Sequence, residues 1–215
     1  MAIPGITIAH AYAGRVRATL RTVGELSVTA GLILTLFCAY LLWGTGAYTA
    51  SQQLLLQREL AAGRIEKIEL GGALAMLRIP RLGRGYEYAV VEGVDAEHLK
   101  KGPGHYPGSA LPGKVGNFVV SGHRTTYAAP FNRIDELERG DEIIVEAREA
   151  RYTYRVTFQD IVEPDEVEVI APVPGKPDIR PIRPYITLST CHPEYSAAQR
   201  LIVHGVLKQT ELRKE

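Results

Sequence analysis

Three residues in the C-terminal half of the chain could together perform nucleophilic chemistry. Cys191 ends the apolar run YITLSTC, and Pro193 stops the strand that this run predicts. A thiol with a pKa of about 8.5 is only slightly ionised at neutral pH, so it needs a partner that stabilises the thiolate. His123 ends a second apolar run, GNFVVSGH, at the same kind of strand-end position. Arg200 begins the next run, and the N–H donors of its guanidinium are suited to binding an oxyanion.

Two other histidines are alternatives to His123. His192 follows Cys191 directly, but neighbouring side chains on an extended strand point to opposite faces. His204 shares a face with Arg200, although four strand residues separate the two by about 13 Å. His105 lies in a Gly/Pro-rich segment and is expected at the surface. His123 is therefore the preferred partner, with His192 and His204 to be reconsidered if it fails.

An apolar segment near the N-terminus predicts a membrane anchor. No Asp, Glu, Lys or Arg occurs in residues 26–57, and residues 26–43 are almost wholly apolar. Eighteen helical residues rise about 27 Å, close to the thickness of a hydrocarbon core. Arg15, Arg17 and Arg21 precede the segment, so the positive-inside rule places the N-terminus in the cytoplasm. A cleaved signal peptide is the alternative, but the apolar run is long for one. Cys38 then lies in the bilayer and cannot pair with Cys191.

The remainder of the chain predicts an all-β domain. Eight short apolar or alternating runs are separated by Gly, Pro and Asp clusters, as expected of an eight-stranded β-barrel with short helices. The connection 162–184 holds six of the thirteen prolines. It is interpreted as a substrate-binding wall, with a plain surface loop as the alternative. The net charge of +1, without a basic run in the domain, argues against nucleic-acid binding.

These features divide the chain into five predicted parts. They are a cytoplasmic tail (1–25), a transmembrane anchor (26–48), a helical stalk or linker (49–65), a catalytic β-barrel (66–210) and a polar tail (211–215). The predicted location is the cell membrane, crossed once, with the barrel outside the cell.

Several motifs resemble those of the sortase family of cysteine transpeptidases. TLSTC (187–191) matches the family signature, and GHRTTY (122–127), FNRIDELERGDEI (131–143) and AAQRLIVHG (197–205) are similar to the class E sortases of high-GC Gram-positive bacteria. The resemblance covers about residues 74 to 208. It implies a sortase-type β-barrel in which Cys191, His123 and Arg200 are catalytic.

The resemblance also implies a reaction and its partners. The thiolate would attack the Thr carbonyl of a C-terminal sorting motif, Leu-Ala-x-Thr-Gly by analogy with class E or the commoner Leu-Pro-x-Thr-Gly. A peptidoglycan precursor amine would then accept the acyl group. The partners are secreted proteins that carry this signal, and membrane lipid. Ser189, Thr190 and Tyr127, which stand within the motifs, are the predicted substrate-binding residues. The carboxylates of a calcium-binding sortase are not evident, so neither a metal nor a cofactor is expected.

Three alternatives stand beside this interpretation. A class C-type pilus polymerase would carry a lid segment and a second C-terminal span, whereas this chain ends in the polar sequence KQTELRKE. A non-catalytic wall-associated barrel would have no need of all three residues. A papain-like peptidase places its cysteine before its histidine, and here His123 precedes Cys191.

Overall fold

The chain forms two compact units, Met1–Gly44 and Thr45–Glu215, in a computed structural model that describes residues 4–63 and 68–213. The first unit is helical, with α1 at Pro4–Ala39 and a π-helical turn at Tyr40–Gly44. Residues Arg17–Ala39 have a mean hydropathy of 1.7 and are not buried against other residues. By length and composition they could cross a membrane, which confirms the predicted N-terminal apolar helix.

The second unit is a closed eight-stranded β-barrel, as the sequence predicts. The order around the barrel is β1-β2-β3-β4-β7-β8-β6-β5. Neighbouring strands are antiparallel except for the β2–β3 and β4–β7 pairs, which are parallel. The strands are β1 Ala73–Arg78, β2 Glu87–Glu92, β3 Gly104–His105, β4 Gly116–Ser121, β5 Glu142–Glu146, β6 Ala150–Val162, β7 Pro184–His192 and β8 Gln199–Leu212.

Seven of the eight apolar runs become strands, and one does not. Residues 68–70 of the run IEKIEL form no strand, and residues 65–67 lie outside the described part of the chain. The eighth strand is β3, whose two residues are too few to show an alternating pattern. One of the expected short helices is α3, Ala96–Leu99, in the segment DAEHLKKG, which Asp95 caps by accepting a hydrogen bond from the His98 N–H.

Strand β7 separates the barrel core from the site. Ile186 and Leu188 are fully buried in the core cluster inside the barrel. Since successive strand residues alternate between faces, Thr187, Ser189 and Cys191 point out of the barrel. The residue type at each position fits this division, because the inward side chains are aliphatic and the outward ones are polar.

Helix α2, Thr45–Ala61, packs on the barrel beside β2. Its buried residues Thr45, Thr49, Gln53 and Leu56 recur at helical spacing. The Gln53 side chain donates to the carbonyl of Ala89 at 3.0 Å and accepts from the Ala89 N–H at 2.7 Å. Gln53 thereby satisfies both backbone groups of a β2 residue, as a neighbouring strand would.

Candidate active site

Strand register brings His123, Cys191 and Arg200 to one edge of the barrel. Strands β4 and β7 are parallel, so their carboxyl ends meet. The Gly122 N–H donates to the carbonyl of Ser189 at 3.1 Å, and the Thr190 hydroxyl donates to the carbonyl of Gly122 at 2.8 Å. In the antiparallel β7–β8 pair, Cys191 lies directly opposite Arg200. Three strands therefore deliver the three side chains to one place.

These side chains line a groove of about 390 Å³. Ser189 and Thr190 also contribute to its floor, and Tyr106 lies along its rim. One side is formed by residues 162–171, which we call the wall; seven of them, between Val162 and Ile170, line the groove. The connection that the sequence predicted as a substrate-binding wall thus borders the thiol.

His123 is half-buried, and one of its imidazole nitrogens has no hydrogen-bond partner among the described residues. Burial lowers the pKa of His123 below its ordinary value, which favours the neutral ring. Its Nε2 atom is buried and makes no hydrogen bond to any residue that the structure describes. It is the only histidine among the described residues that line the groove. The largely neutral imidazole therefore borders the groove and could exchange a proton with a group bound there.

The loop that follows His123 is strained. Tyr127, Ala128 and Ala129 have φ angles of 53°, 61° and 44°, a left-handed conformation that costs non-glycine residues about 1–2 kcal/mol each. The Tyr127 N–H donates to the Thr45 hydroxyl of α2 at 3.4 Å. The Tyr127 ring lies against His123, with the ring centroids 5.0 Å apart. Helix α2 thus supports the loop that covers one side of the histidine.

Arg200 is held by the loop between β7 and β8. Its Nη1 donates to the carbonyls of Ala197 and Gln199, both at 2.9 Å. A guanidinium has five N–H donors, so these two bonds leave three for a ligand. The cation is therefore fixed beside the thiol while it keeps donors for a carbonyl oxygen.

Arg124 is a second arginine at the site, and the sequence analysis missed it. It is 6% exposed. Its guanidinium donates to the carbonyl of Cys191 at 3.3 Å and to Nδ1 of His192 at 3.0 Å, and it pairs with Asp135 at 3.1 Å. Arg124 therefore holds the backbone of the strand that carries Cys191. The available signal was a charged residue directly after His123, at the end of an apolar strand.

The two alternative histidines lie in other environments. Since a guanidinium can only donate, His192 Nδ1 accepts the bond from Arg124 and carries no proton. His204 is 3% exposed, and burial lowers its pKa to about 4. His105, expected at the surface, is 1% exposed and pairs with Glu92 at 2.6 Å, so that expectation was wrong. Its other nitrogen contacts the Ser109 hydroxyl at 2.8 Å, which ties the Gly/Pro-rich loop to the barrel.

The fold and the site define a closed β-barrel that presents a thiol, an imidazole and a guanidinium in one groove. A family model described as "Sortase domain" matches residues 77–208. Sortase SrtE1 of Streptomyces coelicolor is 34% identical over 209 residues, which cover 91% of this chain and 59% of SrtE1. The chain belongs to the sortase family, as its motifs predicted.

Solved structures of class E sortases are similar to this chain. Sortase E from Streptomyces avermitilis is 41% identical, with a TM-score of 0.61, over 67% of this chain and 93% of that one. Sortase E1 from Streptomyces coelicolor, crystallised with a tripeptide in its active site, is 35% identical with a TM-score of 0.61. That match covers 66% of this chain and 92% of the other.

Proposed function

We propose that this chain is a membrane-anchored cysteine transpeptidase that transfers a sorting-signal peptide to a cell-wall amine. The observation that carries the proposal is the register of β4, β7 and β8, which places His123, Cys191 and Arg200 in one groove. The groove is open to a peptide chain, and the tripeptide bound by the related sortase E1 lies in that protein's active site.

The reaction proceeds through a thioacyl-enzyme. Neutral His123, the form that its burial favours, first takes the proton of the Cys191 thiol. The resulting thiolate attacks the Thr carbonyl of the motif, a C–S bond forms, and Arg200 stabilises the oxyanion. Collapse of this intermediate breaks the Thr–Gly bond, and protonated His123 gives its proton to the leaving amine. The amine of a peptidoglycan precursor then attacks the thioester and loses its proton to His123. A new amide forms and the thiolate is released.

Ser189, Thr190 and Tyr127 are the proposed substrate contacts, and their surroundings differ. Ser189 lines the groove next to the thiol. Thr190 is 3% exposed and its hydroxyl already donates to Gly122, so Thr190 acts on the peptide by fixing the strand end that carries Cys191. Tyr127 reaches the peptide only at the side of His123, against which its ring lies. The peptide carries Leu-Ala-x-Thr-Gly or Leu-Pro-x-Thr-Gly.

The apolar helix is the proposed anchor. The N-terminus lies in the cytoplasm, the helix crosses the cell membrane once, and the barrel meets secreted proteins and peptidoglycan precursors outside. The support is the length of the apolar stretch together with the arginines that precede it, Arg17 and Arg21. The five parts predicted from the sequence, from the tail at 1–25 to the tail at 211–215, are proposed on the same grounds.

A peptide-transfer assay tests the chemistry. The protein is incubated with each motif peptide and an amine, and the Thr–amine product is measured by mass spectrometry. Cys191→Ala should abolish transfer, and Arg200→Ala should reduce its rate about a hundred- to a thousand-fold. Arg200→Lys should recover little of the transfer rate, since an ammonium group does not reproduce the planar set of N–H donors of a guanidinium. Arg81→Ala is the matched control, because it removes an exposed guanidinium that pairs with Glu138.

Two results would contradict the proposal. Transfer by Cys191→Ala at the wild-type rate would exclude the thiol as nucleophile. A folded wild-type protein that forms neither a thioacyl adduct nor a product with either peptide would favour the non-catalytic alternative.

A further inference from the structure

Three buried polar residues form a row across adjacent strands beneath the wall. Asn117 on β4, Thr187 on β7 and His204 on β8 are 2%, 0% and 3% exposed. Thr187 lies directly opposite His204 in the β7–β8 ladder. Thr187 points to the same outer face as Cys191, so the row lies outside the barrel. The wall contacts the row at Asn117, whereas the ring of Phe158 on β6 lies against His204, with the ring centroids 4.5 Å apart.

The hydrogen bonds of this row can run in one direction only. The Asn117 Nδ2 atom donates to the carbonyls of Ala171 at 3.0 Å and Val169 at 3.4 Å, and these groups cannot donate in return. The Asn117 Oδ1 atom therefore accepts from the Thr187 hydroxyl at 2.8 Å. The Thr187 oxygen then accepts from Nδ1 of His204 at 3.0 Å. Each donor and acceptor in the row has a defined partner.

The row fixes the wall relative to the nucleophile. The Thr187–His204 pair lies four residues along the strands from the Cys191–Arg200 pair, which corresponds to about 13 Å. Wall residues Val169 and Ile170 line the groove near the point where Asn117 holds the backbone. The other end of the wall is joined to the barrel by a bond from Gln199 to Glu163, which is solvent-exposed and therefore contributes less.

We infer that Asn117 is a positioning residue for the peptide substrate: oriented by Thr187 and His204, its amide holds the wall at the distance from Cys191 that the peptide requires. This inference rests on the proposed transpeptidase function. Asparagine is required because one end of the side chain must donate to two carbonyls while the other end accepts a hydroxyl proton. The Asn117→Asp substitution would direct a carboxylate oxygen at those carbonyls.

The test compares Asn117→Asp with the pair Thr187→Val and Thr187→Ser. The Asp and Val variants should raise the peptide KM about tenfold, the scale of one lost buried hydrogen bond, with a smaller change in kcat. Thr187→Ser keeps the hydroxyl and should keep the KM within about twofold of wild type. Alkylation of Cys191 by iodoacetamide should be unchanged throughout, because the thiol and His123 are not altered.

Hydrogen exchange of the wall gives a second measurement that does not depend on catalysis. Amides of residues 162–171 should exchange faster in Asn117→Asp and Thr187→Val, while those of β4 and β7 remain protected. Wild-type KM together with wild-type exchange in the Asp and Val variants would overturn the inference. Should the wild-type protein fail to cleave either peptide, the proposed function fails, and hydrogen exchange still decides whether Asn117 holds the wall. If Asn117→Asp does not fold, the comparison of Thr187→Val with Thr187→Ser tests the inference by itself.

Discussion

Replacing His204 by asparagine should remove a large part of the acid sensitivity of the domain. His204 is almost fully buried, and burial lowers its pKa to about 4, against the weaker opposing effect of Asp160. The unfolded chain, in which the pKa of histidine is about 6.5, takes up this proton first as the pH falls. The free energy of unfolding therefore decreases from pH 6.5 down to pH 4 and increases with pH across the same window.

The size of the effect follows from the two pKa values. Each pH unit between them corresponds to about 1.4 kcal/mol, so the full window is worth about 3 kcal/mol. The asparagine side chain of the His204→Asn variant would keep an N–H donor for the Thr187 hydroxyl but would not titrate. This variant should therefore lose about 3 kcal/mol less than wild type between pH 7.5 and pH 4.

Urea unfolding of residues 45–215 at several pH values, followed by far-ultraviolet circular dichroism, measures this difference. Carboxylates that titrate below pH 5 are common to both proteins, so their contribution cancels when the two curves are subtracted. Parallel stability curves for the two proteins would show that His204 is not the source of the pH dependence, and the burial argument would then be wrong.

Three further predictions concern the surroundings of the site. Arg124→Met should destabilise the domain by about 2–4 kcal/mol in urea unfolding, mostly because buried hydrogen bonds are lost; Asp135 is half-exposed, so its ion pair contributes little. An unchanged midpoint of urea unfolding would contradict this. Tyr127→Leu should expose His123 and raise its pKa toward the ordinary value, which an NMR titration would detect as a shift of the imidazole signals to higher pH; an unmoved titration would exclude the ring as a cause of burial. A chain that begins at residue 45 should be soluble and active, whereas one that begins at residue 57 lacks Gln53 and should unfold at lower urea concentration; equal midpoints would show that α2 does not stabilise the barrel.

The sequence predicts the barrel and its three central residues because both depend on local patterns. Alternating apolar runs report which face of a strand is buried, and seven such runs became strands. Cys191, His123 and Arg200 each stand at the end or start of such a run. Strand ends meet at barrel edges, so their position along the chain already indicates a shared site.

The residues that the sequence analysis missed act through contacts that no local pattern records. Arg124 forms hydrogen bonds with groups 67 and 68 positions away along the chain, and Asn117 with groups 52, 54 and 70 positions away. Helix α2 docks mostly through the polar residues Thr45, Thr49 and Gln53, with Leu56 as its one buried leucine, whereas Leu54 and Leu55 are exposed. An apolar stripe is the usual sign of a docked helix, so a polar one is not recognised before the partner groups on β2 are known.

The order of strands around the barrel also determines when Cys191 meets His123 during folding. Strands β7 and β8 insert between β4 and β6, so the barrel closes only after the last long strand has been synthesised. Cys191 stands 68 positions after His123, and their encounter requires the slow, non-local pairing of β4 with β7. A nascent chain would therefore bring Cys191 to His123 in the same step that closes its exposed strand edges, which are the edges at which β-proteins aggregate.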